Sequence, residues 1–216
     1  MHVPSHFAEN DPEVLRALVR AHPLGTWVTQ DGDALFANHI PFLLDAERGP
    51  HGTLVGHVAR ANPVWRTFST RVRSLVVFQG TDTYITPSFY PSKRAHGKVV
   101  PTWNYAVVHA QGMPRAIEDR DWLRRLLERL VTTHEATEAL PWTIADAPAD
   151  YIDGLLRVIV GIEIPVDTLT GKWKVSQNRP EADRRGVAEG LAARGDAAAV
   201  EMAELVRRHI AAGGDG

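Results

Sequence analysis

Apolar and β-branched residues recur in this chain in short runs separated by turn signals, and that spacing restricts the fold more than any single motif. The sharpest case is the pair Thr26–Gln30 and Ala34–Leu44 around Asp31-Gly32-Asp33. Asp-Gly supplies the positive-φ corner that a tight hairpin needs. Further runs at Thr53–Val58, Ser74–Phe78, Val99–Ile117, Val158–Ile164 and Thr170–Val175 read as strands, with Gly112 marking a bulge or bend and Thr81-Asp82 a turn. About seven strands without a helix after each exclude a doubly wound sheet. They predict a mainly β protein, an antiparallel barrel with peripheral helices packed outside.

The helices are few and well signposted. Asn10 and Asp11 precede Pro12, and Val14, Leu15, Leu18 and Val19 then share one face until Pro23. Asn62-Pro63 opens a short helix carrying Trp65 and Phe68. Asp121–Glu138 is the clearest helix, because Trp122, Leu123, Leu126, Leu127, Leu130 and Val131 follow its period. Pro148–Leu156 reads as one more. Beyond Arg179 the composition shifts to Ala, Glu and Arg, predicting two helices broken at Arg194-Gly195-Asp196 and a frayed tail after Ile210. The expected organisation is one domain over residues 1–179, with residues 180–216 as a helical extension packed on it.

Composition narrows the chemistry. The chain has 216 residues, a formal charge of -2 and no cysteine, so thiolate zinc sites, disulfide frameworks and thiol catalysis are excluded. Any nucleic-acid contact needs a local basic patch. No apolar run has membrane-spanning length, and MHVPSHFAEN lacks the order of a signal peptide. A cytoplasmic protein with no membrane partner is the expectation.

The residues from Tyr84 to Tyr105, YITPSFYPSKRAHGKVVPTWNY, gather three tyrosines, a tryptophan, four hydroxyls and three basic side chains between proline kinks. That mixture suits a flat aromatic ligand with an anionic tail, or else a solvated hairpin loop whose tyrosines cap a barrel end. Asn38-His39-Ile40-Pro41-Phe42 ends the first hairpin with a proline that frees backbone groups, and His39 bonds either a ligand or a nearby carbonyl. Gly56-His57-Val58-Ala59-Arg60-Ala61-Asn62-Pro63 passes from a strand into a capped helix. Arg60 there faces either a phosphate or a surface carboxylate. Gly171-Lys172-Trp173-Lys174-Val175-Ser176-Gln177-Asn178-Arg179 sets amides and cations around one tryptophan, as a ligand rim or as an edge strand guarded by lysines. Nucleotide-binding glycine loops, a serine nucleophile elbow and a zinc helix are absent from the sequence. His57, His96 and His109 are the histidines to watch for a metal, though no ligand spacing joins them.

Taken in order, NHIPF, GHVARANP, VVFQG, YITPSFYPSK, VPTWNY and GKWKVSQNRP make the chain resemble the PaiB-type FMN-binding negative transcriptional regulators, within the pyridoxamine-phosphate-oxidase-like flavin split barrels. The resemblance covers Asn38 to Pro180. It implies a split β-barrel and a homodimer with FMN at the interface, lined from both chains. Carried over by position, it places Asn38, His39, Ile40 and Pro41 along the flavin or its ribityl chain, and His57, Ala59 and Arg60 near the phosphate. Ser88, Tyr90 and Lys93 then border the pocket, Thr102, Trp103 and Asn104 lie near the ring, and Lys174, Gln177 and Arg179 approach from the last strand. A cation at the pyrimidine edge of the ring favours the anionic reduced state. The resemblance implies a repressor whose partner is DNA; analogy of fold adds an FMN-dependent reductase or oxidase whose partner is a nicotinamide electron donor, and a flavin carrier or sensor without turnover is the third role.

Overall fold

A computed structural model describes residues 1–212. In chain order the regular elements are β1 (Ala8–Glu9), α1 (Pro12–Ala21), β2 (Leu24–Asp31), β3 (Ala34–Pro41), β4 (Leu43–Asp45), β5 (Thr53–Ala59), α2 (Val64–Thr67) and β6 (Ser74–Ile85). They continue with α3 (Ser92–His96), β7 (Thr102–Gly112), β8 (Arg115–Ile117), α4 (Arg120–His134), α5 (Ala149–Arg157), β9 (Ile159–Lys174), α6 (Glu181–Arg194) and α7 (Ala197–Ala212). The strands hydrogen-bond in the order β3-β2-β6-β7-β9-β5-β4, with β1 and β8 each pairing β9. The fold is mainly β with peripheral helices. Of the tail expected after Ile210, Ala211 and Ala212 close α7, and residues 213–216 lie outside the described residues.

The chain divides into two compact units. One holds Met1–Leu18, Gln79–Val108 and the residues from Thr170 onward; the other holds Val19–Phe78 and His109–Leu169. In the second, the hairpin forms as its sequence dictates: Gly32 takes φ 58° and Asp31 pairs with Ala34. Its outer strand is shorter than Ala34–Leu44, because Pro41 ends β3 and β4 resumes at Leu43 to pair with β5. Helix α4 begins at an Asp119 cap and buries Leu126 and Leu130 against Val55, while Leu123 meets Ile152 and Leu156 of α5. Burying such a side chain contributes about 1.5–3 kcal/mol.

Three expectations need correction. Thr81-Asp82 is no turn: β6 runs through it, with Thr81 and Thr83 buried and Asp82 and Tyr84 outward. The two runs Val158–Ile164 and Thr170–Val175 are one strand, β9, in which Pro165 stands opposite Thr53 and Gly171 opposite Glu9. The glycines of β9 are close approaches: a Cβ on Gly161 would fall 2.2 Å from the Trp122 ring, and one on Gly171 2.1 Å from Leu15. Finally, residues Ser92–His96 form a helical turn inside the proline-kinked stretch for which no helix was expected.

In the first unit, α6 and α7 pack on each other across the predicted break. Gly195 takes φ 75° and Asp196 Oδ1 accepts the Ala199 N–H at 2.9 Å. Arg194, the last residue of α6, donates to Thr83 Oγ1 at 3.3 Å and the Tyr84 carbonyl at 3.0 Å, fastening the helical hairpin to the end of β6.

Candidate functional site

Helix α6 shapes the segment that follows β6. Gly186 and Gly190, one turn apart, let the backbone of Phe89 lie against the helix. A Cβ on Gly186 would sit 2.1 Å from the Phe89 carbonyl oxygen, and one on Gly190 2.2 Å from the Phe89 ring. The buried carboxylate of Asp183, 1% exposed, accepts the Ser92 N–H at 3.0 Å and the Ser92 hydroxyl at 2.6 Å, starting α3. Lys93 reaches back to Ser88 Oγ at 3.3 Å. Between these anchors Tyr90 is held 2% exposed. The Arg179 guanidinium covers its ring at 4.8 Å, yet no hydrogen bond of ordinary geometry reaches Tyr90 Oη. Burial pushes the phenol up, outweighing Arg179, so it stays a proton donor at neutral pH. A buried hydroxyl without a partner costs about 1–3 kcal/mol.

The opposite wall is the end of β9 and the turn after it. Lys174 Nζ donates to Thr102 Oγ1 and, at 2.5 Å, to the Trp103 carbonyl. Burial, then the charges of Lys172 and Arg179, push the Lys174 ammonium down. Ser176 takes φ 70°, a left-handed conformation that costs a non-glycine residue about 1–3 kcal/mol. Its neighbours hold it there. The Gln177 side chain accepts the Val175 N–H at 2.8 Å and donates to the Trp173 carbonyl at 2.6 Å, and Asn104 Nδ2 donates to Ser176 Oγ at 3.0 Å. Gln177 therefore builds the turn rather than lining the space it encloses.

That space is a cleft of about 210 Å³ lined by Tyr90, Val100, Pro101, Thr102, Asn104, Lys174, Ser176, Asn178 and Arg179. Two cations and an unpaired phenol meet in it without a carboxylate, which suits an electron-rich or anionic group. Ligand pockets usually begin near about 300 Å³, so this cleft takes one end of a larger molecule. Trp103, adjoining it in sequence, is 54% exposed and meets Tyr84 edge-on at 6.0 Å.

The residues expected to bind thus fall into two groups, one per unit. Ser88, Tyr90, Lys93, Thr102, Trp103, Asn104, Lys174, Gln177 and Arg179 belong to the unit just described. Asn38, His39, Ile40, Pro41, His57, Ala59 and Arg60 belong to the other. There, Asn62 Nδ2 donates to Asn38 Oδ1 at 2.7 Å while Asn62 Oδ1 accepts the Val64 N–H, tying the end of the hairpin to the start of α2. Ile40 is buried, Ala59 and His39 are exposed, and Pro41 closes β3. His57 Nδ1 is buried without a partner, and burial pushes the imidazole down, leaving it neutral at pH 7. Arg60 is already engaged, by Glu118 at 2.5 Å and by the carbonyls of Arg157 and Ile159. Sequence reasoning missed Val100, Pro101, Ser176 and Asn178 as lining residues, although the first two lie inside the quoted VPTWNY run and the last two inside GKWKVSQNRP.

A sheet of this strand order, with a cationic cleft where β7 begins and β9 ends, is a split barrel. Its likeness in fold to the flavocytochrome Anf3 of Azotobacter vinelandii supports the class: TM-score 0.57 at 14% identity, covering 80% of this chain and 72% of that one. Residues 1–168 match the family described as "Putative FMN-binding domain". Protease synthase and sporulation protein PAI 2 of Bacillus subtilis is 32% identical over 95% of this chain and 96% of its own length. Uncharacterized protein AN0679 of Emericella nidulans is 34% identical over 96% of each. The chain belongs to the PaiB-type FMN-binding family, and its cofactor is FMN.

The cleft fits one polar end of that cofactor. Tyr90 Oη would donate to it, Lys174 and Arg179 would balance its charge, and the Asn104–Ser176 pair would keep the turn in register. Because its ammonium is pushed down, Lys174 should lose its proton at lower pH than an ordinary lysine. FMN retention is therefore expected to fall as alkaline pH rises through that lowered range, and to stay flat in Lys174→Arg. Equilibrium dialysis across pH checks this; an identical decline in the arginine variant refutes it.

Proposed function

We propose that the protein is a homodimeric FMN-binding regulator of gene expression, with the cofactor held where two copies meet. The observation that carries this is the cleft beside Trp103: it is too small for the whole cofactor, and the aromatic pair Tyr84–Trp103 next to it in β6 and β7 stays open to solvent in one chain. A second copy would cover that pair and supply the missing wall. The regulatory part rests on the relative named for protease synthesis and sporulation. Direct reading of DNA is not assigned to α6 and α7, three of whose arginines are engaged locally: Arg185 on Glu181, Arg207 on Glu204, Arg194 on β6.

When bound, FMN supplies one- and two-electron chemistry. A second reading, an FMN-dependent reductase or oxidase, is favoured by Tyr90, a phenol in the wall of the cleft that burial keeps protonated at neutral pH.

One preparation separates the readings. Light scattering and absorbance should give a dimer carrying one FMN per chain, and a footprint on its own promoter at physiological salt should appear. A monomer that retains FMN in full refutes the shared site. Turnover with NADH or NADPH without any footprint gives the protein to the enzyme reading.

A further inference from the structure

A second cleft lies in the unit that contains α4. It measures about 750 Å³, inside the range of about 300–1,000 Å³ typical of ligand sites. Its floor is apolar: Pro23, Phe42, Leu43 and Leu44. Phe42 is fixed there by its N–H, which donates to the Pro23 carbonyl at 2.9 Å, and by its edge-on contact with Phe78. Leu43 packs on the Val55–Leu126–Leu130 cluster.

The rim is cationic. Arg20, Arg125 and Arg129 line it against one glutamate, Glu128, on a chain whose net charge is negative. Arg125, Glu128, Arg129 and Thr132 share the face of α4 opposite its buried leucines, spaced as i, i+3, i+4 and i+7. Arg129 reaches Asp45 at 3.3 Å, but Asp45 is also 3.6 Å from Arg48. Arg125 has no hydrogen-bonded or ion-paired partner among the described residues. The C-terminal dipole of α4 favours cations, yet it acts only over the last turn, and Arg125 stands two turns earlier.

We propose that this cleft binds a small amphipathic organic anion, a carboxylate carrying an apolar chain or ring, with its head between Arg125 and Arg129 and its body on Phe42, Leu43 and Leu44. Charge and floor together select that class. A neutral apolar molecule would leave the arginines unused, and a small inorganic anion would leave the floor wet. Phe42 directly follows the Asn38–Pro41 segment, so occupancy on the floor adjoins residues expected to serve the cofactor.

The test is calorimetric titration of the FMN-loaded full chain with octanoate and with 2-naphthoate, using 1-octanol as the uncharged control. At least one carboxylate should saturate a single site per chain and bind tenfold or more tightly than octanol. Arg125→Gln, an exposed change that breaks no pair, should weaken the carboxylate about tenfold and leave octanol unchanged. Failure of both carboxylates to saturate, equal binding of octanol, or full affinity in Arg125→Gln overturns the proposal.

Discussion

Replacing both Lys174 and Arg179 with alanine should leave a folded protein that purifies nearly colourless. Each side chain presents a cation to the same small cleft, and a hydrogen bond to a charged group contributes about 1.5–3 kcal/mol. Each single change should therefore weaken FMN by roughly tenfold or more, and the pair by more than either alone but less than the roughly hundredfold of full additivity, because they share one ligand. Fluorescence titration of FMN into the apoprotein measures it. Tyr90→Phe is the internal control. It removes a buried hydroxyl that lacks a partner, so the cofactor-free protein should melt higher while the cofactor binds less tightly. Undiminished FMN affinity in the double variant would remove the cleft from the cofactor site.

The second large effect is on folding. Gly186→Ala drives a methyl group to 2.1 Å from the Phe89 carbonyl oxygen, and backbone on both sides must move. Overpacking of this kind costs about 1–3 kcal/mol. It should also displace Tyr90 and lower FMN affinity. The same substitution at Gly154 in α5 meets nothing within 4 Å and should stabilise by up to about 1 kcal/mol through helix propensity. Chemical denaturation of the two variants compares them, and a Gly186→Ala protein as stable as its parent would mean that α6 does not press on the Phe89 segment.

Much of this fold is legible in the residues because local chemistry decides it. Asp31-Gly32 can hardly avoid a tight corner, the leucines of α4 mark its buried face, and Gly195-Asp196 stops one helix and caps the next. Local chemistry misleads where a neighbour distant in sequence takes over. Pro165 resembles an interruption between two runs, yet it is accommodated within β9 opposite Thr53, while Gly161 and Gly171 leave the space that Trp122 and Leu15 occupy. Helix α3 is too short to announce itself; its first turn depends on Asp183, which lies 91 positions from Ser92. The cleft was half readable. GKWKVSQNRP displays its cations, but nothing in the order of residues says that Gln177 will be consumed in holding Ser176 at φ 70°.

The match to the family model ends at residue 168, whereas Lys174, Ser176, Asn178, Arg179, Asp183 and Gly186 come later, in a stretch that relatives aligned over 95–96% of the chain also span. A cousin could inherit the barrel intact and still arrive without the charged turn or the glycine shelf that seats Tyr90. Sorting such cousins by the decapeptide at positions 171–180, ahead of overall similarity, would separate those that keep the cleft's charged turn from those that merely share its frame.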